Sequence, residues 1–148
     1  MIKENLALLF EKDMRKLQKE INSYSSEANL WLAGNGITNA GGNLCLHLLG
    51  NLQHYIGLQI GGFAYTRNRP LEFSDKNVPI TVINELIEHT IQVVTAALKN
   101  MPESSLDTDY PENVLGESMT HEYFLLHLLA HLNYHLGQIN YHRRLFDK

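Results

Sequence analysis

HLLAHLNYHLGQ, residues 127–138, sets histidines at 127, 131 and 135, each four positions after the last. Residues four apart on an α-helix share a face, one turn above the other. His131 and His135 can therefore offer two imidazole nitrogens to one ion, a recurrent way for a helix to bind zinc and its first-row neighbours. His127 and His131 form a second pair of the same spacing. Each four-residue step rotates by about 40°, so the three cannot aim equally well at one point. Spacing alone leaves both pairs open.

The stretch lies in a helix predicted near 120–145. Thr120 suits its N-cap, Glu122 its positive end and Arg143-Arg144 its negative end. Before it stands a polar loop of fifteen residues, PESSLDTDYPENVLG; an unstructured loop of that length usually has a task or covers something. Ile83, Leu86, Ile87, Val94, Ala97 and Leu98 keep a helical period near 80–99, with Pro79 fitted to the first turn. Residues 67–78 read as a polar connection.

A further helix is predicted near 43–65, its apolar face made by Leu44, Leu48, Leu52, Tyr55, Leu58 and Phe63. Gly50, Gly57, Gly61 and Gly62 each weaken it by roughly 1 kcal/mol relative to alanine. Their predicted use is close approach of a neighbouring helix. The Gly- and Asn-rich residues 31–42 read as a loop. Phe10, Met14, Leu17, Ile21 and Tyr24 draw a stripe down a first helix near 2–24. Four helices without a strand signal predict an all-α protein, an up-down four-helix bundle in one domain over 1–148.

The chain carries eight histidines, four of them between His121 and His135. A pair of imidazoles seldom makes a tight site, and the predicted second helix offers His47 between Leu46 and Leu48. Three imidazoles plus solvent leave open positions, the pattern of a catalytic rather than a structural zinc site. The competing reading is a hydrogen-bonded core, the commoner fate of a histidine among leucines. Asn51 and His54 follow His47 by about one and two turns and are candidates to line the pocket. Tyr134 and Gln138 are candidates to support the ligands on the last helix. His89, His121 and His142 read as surface or boundary residues.

Composition narrows the classes. The 148 residues hold 12 basic and 16 acidic side chains, a formal charge of −4, and no basic stripe suited to nucleic acid. No apolar run is long enough to span a bilayer. The charged N-terminus lacks the apolar region of a signal peptide. The single cysteine, Cys45, forms no internal disulfide, fits a reducing cytoplasm and reads as a small buried hydrophobe. Glycine loops that cradle phosphates and paired-cysteine motifs are absent.

Three stretches, NAGGNLCLHLLGNLQHYIGLQIGG (39–62), YTRNRPLEFS (65–74) and HLLAHLNYHLGQINYHRRL (127–145), resemble the DinB-like superfamily. With the matching helix lengths the resemblance covers nearly the whole chain. It implies a four-helix bundle, often homodimeric, with a metal triad of one histidine on the second helix and an HxxxH pair on the fourth. Those positions here are His47, His131 and His135. Gly137-Gln138 matches the family's HxxxHxGQ pattern and selects His131/His135 over His127/His131. The resemblance also implies a low-molecular-weight thiol as partner, since some members are bacillithiol- or mycothiol-dependent transferases and isomerases.

The leading expectation is a metal-dependent enzyme of the thiol S-transferase or hydrolase type. The ion would be zinc or nickel first, manganese or iron next. No catalytic side chain is assigned. The alternatives are a non-catalytic bundle that binds a metal or small ligand, and a structural dimer with a histidine core.

Overall fold

A computed structural model describes residues 2–148. The protein is all-helical: among the described residues, β pairing is confined to two isolated bridges, Gly34–Ile37 and Asp109–Thr120. Among the described residues, no helix is long and apolar enough to cross a membrane.

The first helix, α1 (Ile2–Asn22), buries Leu6, Phe10, Met14, Leu17 and Ile21, one stripe at steps of four and three. The next, α2 (Gly41–Leu52), starts two residues before the predicted boundary. Gly41 and Gly42, read from sequence as loop, are helical because their bare backbone lies against Tyr24 and Trp31. A Cβ at Gly42 would come within 2.7 Å of the Trp31 ring.

The helix continues as a π-helical turn, Gln53–Leu58, in which the Gln59 amide donates to the His54 carbonyl. Such wide turns concentrate at functional sites and are invisible to a 3.6-residue pattern. The element ends where Gly62 takes φ +69°, short of the predicted residue 65. Gly57 and Gly61 face a tight neighbour as predicted. Cβ atoms there would meet Val93 and Ala97 at 2.6 and 2.7 Å.

The predicted polar connection contains a short helix, α3 (Arg69–Ser74). The Asn68 side chain accepts from the Leu71 amide, and Pro70 occupies the first turn. Asn43 of α2 donates to the Glu72 and Asp75 carbonyls at 3.0 and 2.8 Å, fastening α3 to α2. Beyond Pro79 runs α4 (Ile80–Asn100). The long polar loop folds back under a Tyr110 amide to Met119 carbonyl bond of 2.8 Å and buries Leu106, Tyr110 and Met119. Thr120 caps α5 (His121–Phe146) as predicted, accepting from the Tyr123 amide.

Helix directions follow from cross-helix contacts. Lys3 of α1 reaches the Met101 carbonyl past the end of α4, so these two are antiparallel. Asp13 with Asn133 and Glu20 with Arg143 set α1 and α5 parallel. Tyr55 against Phe124 and Gly41 against His142 make α2 and α5 antiparallel. The chain therefore runs up, down, down, up, where the sequence reading expected simple alternation. The physical reason is the stretch from residue 59 to 79, long enough to carry the chain back along the molecule before α4 begins.

Candidate metal centre

His47 projects from the middle of α2, and His131 and His135 from adjacent turns of α5. Because α2 and α5 lie side by side, the three Nε2 atoms meet. His47 Nε2 lies 3.3 Å from His131 Nε2, which lies 3.1 Å from His135 Nε2. The rings stand nearly edge to face, at interplanar angles of 79–89°. His47 is buried and the α5 pair half-buried.

Their outer nitrogens explain what the inner ones can do. His47 Nδ1 stands 3.1 Å from Glu72 Oε1. A carboxylate only accepts, so this contact places a proton on Nδ1, and the neutral ring then offers Nε2 as a lone pair. His135 Nδ1 likewise donates to Gln138 Oε1 at 2.6 Å, which bares its Nε2. His131 is held neutral: burial first, then the neighbouring His135, His47, His127 and Arg67, push its pKa from 6.5 to about 4. Burial also lowers His135, against the pull of its Gln138 bond. One proton from His131 could satisfy only one facing lone pair. A cation satisfies all three.

The spacing agrees. A tetrahedral ion held at about 2.0–2.1 Å separates its nitrogens by about 3.3 Å. His47, His131 and His135 form a group able to hold a metal ion.

Glu72 is the residue that sequence reasoning missed. It comes from α3, is buried at 7% exposure, and takes a two-pronged ion pair from Arg67, with Nε and Nη2 each 3.0 Å from a carboxylate oxygen. Burial pushes its pKa up, but bonds from His47 and Arg67 outweigh it and hold the group below the usual range. Burial opposes the Arg67 charge, and the Glu72 bond more than restores it. Gly50 makes room: a Cβ there would overlap Glu72 Oε2. The signal was legible in Asn68-Arg69-Pro70, a cap followed by proline in the first turn.

The remaining candidates divide. Gln138 supports His135. Asn51 lines a cleft beside the triad, its Oδ1 buried without a hydrogen-bond partner among the described residues. His54 turns away to Glu112 of the long loop, 2.7 Å off, and is not part of the cleft wall. Tyr134 is exposed and touches His135 edge-on at 5.4 Å between centroids. His127 is exposed, lines the cleft and stacks on Phe124.

His89 is exposed as expected, and His121 fastens the loop through the Thr108 carbonyl. His142 corrects the surface-or-boundary expectation. It is buried, with Nδ1 2.7 Å from the Tyr24 hydroxyl and Nε2 2.8 Å from the Leu32 carbonyl. Cys45 is fully buried and its thiol is pushed up to about 12, so it is inert.

No family model and no curated protein sequence matches the chain.

Proposed function

We propose that residues 1–148 are one DinB-like domain in which α1, α2, α4 and α5 form a four-helix bundle around a divalent ion on His47, His131 and His135. The observation that carries this reading is the convergence of three Nε2 atoms, two of them bared by bonds on the opposite side of the ring. Zinc and nickel are among the first-row ions that suit such a nitrogen set. When bound, an ion with open positions lowers the pKa of a coordinated thiol or water toward neutrality.

The function that follows is thiol S-transfer. Among the described residues no Asp or Glu lines the cleft beside the triad, and Glu72 is engaged by His47 and Arg67. Helical zinc hydrolases commonly use a glutamate as general base; holding a thiolate on the ion needs none. His127, the imidazole outside the triad on the cleft wall, can accept the proton that an incoming thiol gives up. The same missing carboxylate favours, as second reading, a bundle that binds metal and ligand without turnover.

A homodimer belongs to the proposal. Tyr123, Tyr134, Tyr141 and Leu145 stand exposed along α5, and light scattering decides between dimer and monomer. Metal analysis of tag-free protein tests the site: one ion per chain is expected, lost in His131→Ala and kept in His89→Ala. Turnover of low-molecular-weight thiols with electrophiles then separates enzyme from binding protein.

A further inference from the structure

The cleft that opens beside His47 and His131 encloses about 180 Å³. That is below the roughly 300–1,000 Å³ of drug-sized pockets. The part of an occupant that enters it is small.

The charge of its wall is one-sided. Acidic residues outnumber Lys and Arg in the chain, 16 to 12, yet the wall carries Arg67 and Arg69 and, among the described residues, no carboxylate. Arg67 is neutralised by Glu72. Arg69 is not: its guanidinium rests over the Phe73 ring at 5.3 Å and makes no ion pair with a carboxylate among the described residues. Phe124, Val114 and Leu128 add apolar surface to the same wall.

From this we infer that the site takes a small organic anion, one end meeting the triad and a carboxylate meeting Arg69. An arginine can grip a carboxylate with two parallel N–H donors, which fixes direction as well as adding affinity. The apolar wall of Val114, Phe124 and Leu128 favours a hydrocarbon link between the two ends. This selectivity rests on the metal reading above and specifies it: within the thiols, the cleft prefers an acid to a neutral alcohol or an amine.

Cobalt(II)-loaded protein tests it, because a thiolate bound to cobalt adds a charge-transfer absorption that reports occupancy. The probes are 3-mercaptopropionate, 2-mercaptoethanol and 2-mercaptoethylamine, titrated into wild type and Arg69→Gln. Arg69 is exposed, so its replacement leaves the fold intact. Wild type is expected to bind the acid more tightly than the other two. Arg69→Gln should weaken the acid by about tenfold, the worth of one charged hydrogen bond, and leave the alcohol within about twofold. Arg69→Lys should recover part of the loss. Equal binding of the acid by wild type and Arg69→Gln, with the cobalt spectrum intact, overturns the inference while sparing the metal site. Failure to take up cobalt at all overturns both.

Discussion

Glu72 Oε1 and His47 Nδ1 stand 3.1 Å apart, and both side chains are buried. The contact joins α3 to α2 and fixes the tautomer of the one triad histidine that α5 does not supply. Imidazole ligands commonly lean on a carboxylate in this way, which orients the ring and raises its basicity.

Loss of that partner should weaken the site without emptying it. Glu72→Gln is expected to lower metal affinity by about 10–100-fold, measured by competition with a chelator. It keeps the shape of the side chain but not its charge, so His47 loses its strong acceptor and Arg67 its counterion. Affinity unchanged from wild type would show that Glu72 serves only the fold.

Gly50→Ala should reach the same end by another route. The added methyl would occupy the place of Glu72 Oε2 and push the carboxylate off His47 and Arg67. Alanine favours a helix over glycine by up to about 1 kcal/mol, and a carboxylate at the end of a flexible chain can move aside. Thermal stability should therefore hold while metal affinity drops about as far as in Glu72→Gln. At Gly57 the obstacle is Val93 in the helix packing, 2.6 Å from a new Cβ. Gly57→Ala should lower the melting temperature instead, and matching effects at both glycines would refute the distinction.

The lowered histidine pKa values set a direction with pH. His131 titrates near 4 when folded and 6.5 when unfolded, so between those values the unfolded chain binds the extra proton. His135 is displaced the same way. Their contribution to the stability of the metal-free protein is present above pH 6.5 and lost as pH falls toward 4. The melting temperature of metal-free wild type should drop over this window more than that of His131→Gln. Parallel profiles would contradict the assignment. For the same reason these two ligands meet less competition from protons than ordinary histidines, and metal should be held somewhat below pH 6.5.

Much of this was legible in the chain. The stripe of Phe10, Met14, Leu17 and Ile21, the Thr120 cap and the glycine contacts at 57 and 61 depend on local periodicity, and periodicity survives folding. The HxxxH pair put His131 and His135 on one face for the same reason. Features set by distant contacts escaped. The π turn at 53–58 has no 3.6-residue signature. Glu72 acts across space from a segment polar enough to pass for a loop. His142 is buried by the distant Tyr24 and Leu32, which no spacing on its own helix could reveal.

The central claim is that one ion sits among three imidazoles, and anomalous diffraction from crystals of zinc-loaded protein tests it most directly. The account predicts one peak per chain, about 2.0–2.1 Å from Nε2 of His47, His131 and His135, with Glu72 still on His47 Nδ1. A peak bound by other residues, or one that leaves His47 out of reach, would contradict it.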